Sequence, residues 1–236
     1  MLGARRFQFR PVLTIFTALA LGVLVTLGMW QLHRLDWKRA LVAQVEARVS
    51  DAPISFADAV RRAEAGEDME YTPVYAEGVF ANQFEARVFG TYESAPGAYY
   101  FAPLEEAGQT DSFIYVNRGF APQGVEVDVP SRDETSVYGL FRAPEKAGGL
   151  AGSFRPAGKS TDGLWFARDA RLFAADAGIA ASPYYIDQAA VEGRAWPKGG
   201  TTRLSFNNRH LEYALTWFGL AAALCGVWVA FSYQKP

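Results

Sequence analysis

"PVLTIFTALALGVLVTLGMWQL", residues 11–32, decides the architecture of this chain, because none of its side chains is charged. An α-helix rises about 1.5 Å per residue, so a run of this length crosses the roughly 30 Å hydrocarbon core of a bilayer. A second run, "YALTWFGLAAALCGVWVAFSY" at residues 213–233, has the same property. Its aromatic ends suit the membrane interface, where amphipathic rings prefer to lie. Both runs are predicted to be transmembrane helices. A cleaved leader is the competing reading of the first, since Arg5, Arg6 and Arg10 precede it. Against that reading, the apolar region is too long and no small-x-small cleavage site follows.

Two spans put both ends of the chain on one side of the membrane. The expected organisation is a head at 1–10, transmembrane helix 1 at 11–32, a domain at 33–212, transmembrane helix 2 at 213–233 and a tail at 234–236. Charge alone leaves the orientation open, because the arginines of the head are matched by Arg34, Lys38 and Arg39 just beyond the first span. A long domain is translocated largely regardless of its charge, which favours cytoplasmic termini and an exported, periplasmic domain. A short head without a long amphipathic presequence favours a bacterial inner (plasma) membrane over a mitochondrial precursor.

The intervening segment is long enough for one domain with its own core. "LDWKRALVAQVEARV" (35–49) continues from the first span with apolar residues at helical spacing, and "SFADAVRRAEAG" (55–66) is a short helix opened by Ser55. The period then changes. "TPVYAEGVF", "EARVFGTY", "YYFAPL", "SFIYVNRGF" and "TSVYGLFR" are short, aromatic and β-branched, with Gly, Pro and acidic residues between them, as successive strands require. "FARDARLFAADAG" (166–178) returns to helix, "PYYIDQ" (183–188) adds a strand, and residues 143–163 read as a long surface loop. The fold class expected is a membrane protein with two transmembrane α-helices flanking an α+β exported domain, whose mostly antiparallel sheet has about five or six strands with short helices.

Several function classes are disfavoured by what the chain holds. A net charge of −2 with acids and bases interspersed is no nucleic-acid signature. Cys225 stands alone within the second span, so the domain has neither disulfide nor thiolate metal site. The two histidines, His33 and His210, lie at the margins of the spans, which leaves the domain interior without a base for a histidine-dependent hydrolase. No phosphate-cradling glycine loop has the Walker spacing, and the adjacent Glu105 and Glu106 read as a solvated turn rather than an acid–base pair. No enzyme activity is expected.

The chemistry that remains is at the membrane. Taking about 100° per residue from His210, Trp217, Ala221 and Trp228 fall within roughly 20° of it, and Gly219, Ala223, Gly226 and Ala230 gather on the opposite side. Small residues permit close helix approach in lipid, and Ala18, Gly22 and Thr26 form a similar ladder on the first span. The two ladders are therefore expected to pack together, turning the His210–Trp217 face outward. A histidine at such a boundary has two readings: an interfacial anchor that keeps its nitrogens wet, or an axial ligand to haem iron, with the flat porphyrin along Trp217 and Ala221 and Tyr213 bonded to a substituent.

"LGMWQLHRLDWK" (27–38), "NRGFAP" (117–122), "YYID" (184–187) and "NRHLEYALTWFGLA" (208–221) together resemble the surfeit locus protein 1 family. The likeness runs in order through the whole chain; Phe120 departs from it, standing where the family often has tryptophan. The resemblance implies a cytochrome c oxidase assembly factor of the inner membrane. Bacterial members bind haem a and help deliver it to the oxidase catalytic subunit, and their ligand histidine corresponds to His210. Haem a is thus the implied cofactor, and haem a synthase joins the catalytic subunit among the implied partners. Arg209 and Arg118 are candidate cations for the haem propionates, although Arg118 also fits a brace at a strand turn and Arg209 a contact to lipid phosphate. Trp30 and Gln31 are candidates near the same membrane face, although an aromatic belt and a helix end are the stronger readings of them, and His33 is a weak second ligand. A structural scaffold that holds oxidase subunits without haem is the alternative function; a two-span receptor lacks room for an effector in its short tails.

Overall fold

The computed structural model describes residues 6–108, 112–145, 158–201 and 208–234. In chain order its elements are β1 (Arg6–Phe7), α1 (Pro11–Val49), β2 (Ile54–Ser55), α2 (Phe56–Glu64), β3 (Pro73–Phe80), a 3-10 turn (Asn82–Phe84), β4 (Ala86–Tyr92) and β5 (Ala95–Glu106). There follow β6 (Phe113–Pro122), β7 (Thr135–Arg142), β8 (Leu164–Trp165), α3 (Ala170–Ala177), β9 (Ala181–Gln188), α4 (His210–Ser232) and β10 (Tyr233–Gln234). They divide into two compact units, residues 1–44 with 204–236 and residues 45–203.

The first unit is the helix pair. α1 and α4 are both long and apolar enough to cross a membrane. α1 has 39 residues and incorporates the segment 35–49 without a break, as the absence of Gly and Pro there allows. At one end β1 pairs antiparallel with β10, and Phe7 stacks edge-on against Trp228 and Tyr233. On α1 the inward positions include Thr14, Thr17, Leu21, Leu24, Gly28 and Gln31, a spacing of three and four that suits left-handed helix packing. On α4 they are His210, Ala214, Trp217, Ala221, Leu224 and Trp228. Large apolar side chains such as Ile15, Phe16, Leu215 and Phe231 face outward, as lipid rather than water would require.

This reverses the expected packing. Gly219, Ala223, Gly226 and Ala230 are exposed, and so are Ala18, Gly22 and Thr26, whereas the His210–Trp217–Trp228 face is the one turned inward. The reason is polar satisfaction. Trp228 Nε1 donates to Thr14 Oγ1 at 3.1 Å and His210 Nδ1 bonds Gln31 Oε1 at 2.8 Å, and these groups would go unpaired if they faced hydrocarbon. The helices meet through side chains rather than backbone: a Cβ added at Gly28 would lie 2.6 Å from the Phe218 ring, which occupies the space that glycine leaves. In a Cys225→Ser background, a short bifunctional thiol-alkylating reagent should therefore join Thr14→Cys to Trp228→Cys, and leave Thr14→Cys with Ala230→Cys unjoined, as scored by the gel mobility of the cross-linked band.

The second unit is a closed β-barrel with additions. β3 pairs with β7, β7 with β9, β9 with β6, β6 with β5, and β5 returns to β3 through Gly78–Glu106, Val79–Glu105 and Phe80–Leu104. Only β6–β9 is parallel in this circuit, so the sheet is mostly antiparallel as expected. β4 pairs with the first half of β5, and β2 and β8 add short parallel strands to β3 and β4. Glu105 and Glu106 thus end a strand instead of forming a turn, and part of the expected loop 143–163, residues 146–157, lies outside the described residues.

Two cores flank the same strands. Inside the barrel, Val74, Leu104, Ile114, Val116, Val137 and Ile186 pack with Phe56 and Ala59 of α2. The opposite faces of β5, β6 and β9 carry Phe101, Tyr115 and Tyr185, which meet Phe173 of α3. β6 is buried from Phe113 to Ala121 because helix covers one side of it and barrel interior the other. α2 starts as its sequence predicts, with Ser55 Oγ accepting the Asp58 amide at 3.1 Å.

A polar chain crosses the barrel wall. Asn117 Nδ2 donates to Asp187 Oδ1 at 2.7 Å, Arg142 Nη1 donates to Asp187 Oδ2 at 2.7 Å, and Arg142 Nε donates to Glu70 Oε1 at 2.6 Å. Glu70 Oε2 also accepts the Ala143 amide at 2.9 Å, so β6, β7, β9 and the segment before β3 are tied together. Asp187 is buried, and removing one partner of a buried ion pair leaves the other charge without compensation. Arg142→Leu is expected to cost about 3–5 kcal/mol, read as a lower urea midpoint for the full-length protein in detergent.

Candidate functional site

The N-terminus of α4 is built from polar residues that give way at once to the apolar run. Asn208 Oδ1 accepts the His210 backbone N–H at 3.4 Å, which partly satisfies the open end of the helix. Arg209 is exposed and paired with Glu212, Nε to Oε2 at 2.9 Å. The first turn is therefore charged on its outer side, with His210 alone pointing half-buried into the helix pair.

The His210 ring is fixed by the other helix. Its Nδ1 lies 2.8 Å from Gln31 Oε1. An amide oxygen only accepts, so this bond places a hydrogen on Nδ1, and in the neutral ring the lone pair is then on Nε2. Among the described residues no hydrogen-bond partner meets Nε2. Gln31 reaches the ring because it sits on the inward face of α1, three residues beyond Gly28. The sequence offers Gln31 as a candidate near the same membrane face, with a helix end as the stronger reading; the signal that promotes it to a partner of His210 is the matching depth of two polar side chains, one on each span.

The other expected residues are less uniformly placed. Tyr213 is exposed, Trp217 is half-buried on the inward side, and Ala221 is buried in the helix pair. Ala221 therefore offers no open face to a flat ligand, whereas Trp217 keeps part of its ring accessible and Tyr213 is an exposed neighbour of His210 on α4. His33 is exposed and its Nδ1 bonds Met29 O at 2.8 Å, two residues and about 200° round the helix from Gln31. Trp30 is exposed beside Gln31.

Arg118 belongs to the barrel unit. Its side chain is buried, Nη1 donates to Asp128 O at 2.6 Å, and Nη2 is 3.7 Å from the Asp128 carboxylate. Burial, with Arg194 beside it, pulls its guanidinium down to about 10, so it remains charged at neutral pH. The following Gly119 has φ +120° and donates its N–H to Asn117 Oδ1 at 3.1 Å, so the Asn-Arg-Gly stretch is a bulge within β6, set against the backbone of Lys198.

Among the described residues no group of three His, Cys, Asp or Glu side chains could hold a bare metal ion. A single imidazole with a free Nε2 is a different donor set. It is too little for zinc, which takes three or four protein ligands, and sufficient for an iron whose four equatorial ligands come from a porphyrin. An open groove of the barrel unit, about 530 Å³, is lined by Arg87, Phe89, Tyr100, Ser160, Asp162 and Phe166 among others, and contains none of the site residues expected from the sequence.

Comparison with known proteins matches residues 18–222 to the profile of the SURF1 family. The chain is 33% identical over 230 residues to Surfeit locus protein 1 of Homo sapiens, covering 86% of this chain and 71% of that protein. It is 32% identical over 236 residues to Surfeit locus protein 1 of Gallus gallus, with 89% and 72% covered. A SURF1-like protein of Drosophila melanogaster is 28% identical over 226 residues. These matches run from the first span, through the barrel, to the second.

Proposed function

This chain belongs to the SURF1 family of cytochrome c oxidase assembly factors, and from that premise we propose that it holds haem a at the membrane boundary and passes it to the oxidase catalytic subunit. The observation that supports the reading is the state of His210: Nδ1 is engaged, Nε2 meets no partner among the described residues, and the ring stands where α4 enters its apolar run. Bound haem supplies an iron centre that accepts an imidazole nitrogen as axial ligand.

The residues assigned to the group are His210 as the iron ligand, Tyr213 as the exposed hydroxyl beside it, Trp217 as the adjoining aromatic wall, and Arg209 as the cation nearest the ligand in sequence. The transfer is an exchange of ligands between two sites, driven by relative affinity, so no catalytic residue is assigned. In this reading the termini are cytoplasmic, the barrel domain is periplasmic in a bacterial inner membrane, and haem a synthase is the source of the cargo.

The test is purification of the full-length protein from cells that make haem a, followed by a reduced-minus-oxidised spectrum and pigment extraction. Haem a recovered with the protein supports the reading. Protein that is folded, competent in oxidase assembly and free of haem would replace it with a scaffold that holds oxidase subunits.

A further inference from the structure

We propose that Gln31 is a positioning residue that fixes the tautomer of His210 and thereby sets how firmly a metal is held at Nε2. The inference rests on the haem-ligand reading for its consequence, but its geometric part stands alone. An imidazole with no fixed partner distributes its proton between two nitrogens, and in water the Nε2–H form is preferred. A ligand to iron at Nε2 needs the opposite form. Which nitrogen carries the proton is set by the hydrogen bond that the other makes.

Here that bond is to Gln31 Oε1 at 2.8 Å. Other acceptors nearby are engaged elsewhere: Asn208 Oδ1 takes the His210 backbone N–H, and the Glu212 carboxylate takes Arg209. The acceptor comes from α1 and the imidazole from α4, so the tautomer is fixed only when the two spans are paired.

The chemical identity of the partner matters as much as its position. A metal-bound histidine commonly gives its second N–H to a carboxylate or a carbonyl, and the partner's basicity raises that of the ligand nitrogen. A carboxylate draws the proton strongly and makes the imidazole a firm donor to the metal. A neutral amide fixes the same orientation while withdrawing less, which suits a site whose cargo has to leave. Gln31 thus orients the ligand without making the bond to iron too strong for transfer.

The experiment uses full-length protein in detergent micelles, with histidine labelled at both ring nitrogens and the two residues distinguished by His33→Asn. In haem-free wild type, the nitrogen shifts of His210 should report a hydrogen on Nδ1. Gln31→Leu, close in volume, should move the population towards Nε2–H, and Gln31→Glu, which restores an acceptor, should return it to Nδ1–H. Added haem a should bind Gln31→Leu about 10–100-fold more weakly than wild type. Gln31→Glu should bind at least as tightly as wild type, with a lower midpoint potential and slower release to an acceptor. An unchanged tautomer in Gln31→Leu overturns the assignment. If wild type binds no haem yet Gln31→Leu still moves the tautomer, the haem reading fails and the positioning role survives; if haem binds but Gln31→Leu and Gln31→Glu both match wild type in affinity and potential, the reverse holds.

Discussion

His210→Ala protein purified from cells that make haem a is expected to carry more than about 100-fold less specifically bound pigment than wild type. The reasoning starts from the donor set. Among the described residues at this boundary, His210 is the imidazole turned towards the helix pair, and its ring is the part of α4 that Gln31 orients. On the proposed reading Tyr213 and Trp217 would flank the porphyrin, and neither supplies a nitrogen to replace the imidazole. What remains after the substitution is partition of an apolar plate into detergent, which has no spectral signature of histidine ligation. The helix pair itself should survive, because one interhelical hydrogen bond in a membrane contributes only about 0.6–1.7 kcal/mol. Unchanged helical circular dichroism would therefore accompany the loss of pigment. His33→Ala is the matched control and should retain wild-type haem, since His33 is exposed and tied to its own helix. Full haem occupancy in His210→Ala would remove the ligand assignment.

Gly119→Ala should be the most damaging single-methyl change in the barrel, at about 4 kcal/mol or more. Two costs coincide at this position. The φ of +120° lies where side chains are rarely tolerated, and the new Cβ would stand 1.8 Å from the Lys198 carbonyl oxygen. Relieving that clash means separating two backbone segments that are bonded to each other, Phe120 N–H to Lys198 O at 3.0 Å and Lys198 N–H to Phe120 O at 2.8 Å. It also disturbs the Gly119 N–H on Asn117, the residue that holds Asp187 in the polar chain through the wall. Gly124→Ala separates the two costs, because Gly124 has φ +82° but nothing within 4 Å of an added Cβ. It should lose only about 1 kcal/mol. Urea unfolding followed by the fluorescence of Trp165 and Trp196 in the barrel unit distinguishes the two, and equal midpoints would refute the clash argument.

The sequence announced some of this structure and concealed the rest for physical reasons. The two spans were legible because apolar length is a one-dimensional property. The strands were legible because aromatic and β-branched residues between turn formers need no tertiary knowledge to be recognised. Closure of the sheet was hidden: the return of β5 to β3 is a matter of register, and nothing in "TPVYAEGVF" or "YYFAPL" states which edge meets which. The inner face of α4 does not follow from its small residues, because hydrogen bonds between the helices decide it. Gly219 and Ala223 permit close approach, yet Trp228 and His210 require partners, and in hydrocarbon the requirement outweighs the permission.

The candidate site was half legible. His210 stood out as a histidine at a span boundary, whereas Gln31 was invisible as its partner because the two are separated by most of the chain. Arg118 shows the opposite limit. An arginine in a recognisable motif invites a ligand, but the folded chain engages it with Asp128 in the barrel unit.

The two polar contacts of the helix pair also act as a vernier. Seventeen residues separate Thr14 from Gln31 on α1, and eighteen separate His210 from Trp228 on α4. At about 1.5 Å per residue both intervals are roughly 26 Å, close to the thickness of the hydrocarbon layer. The pins therefore fall at its two margins and agree on a single alignment. Sliding one helix by a turn, about 5.4 Å, would break both bonds together, so the pair has no half-slipped state and a bilayer of different thickness must tilt it as one piece.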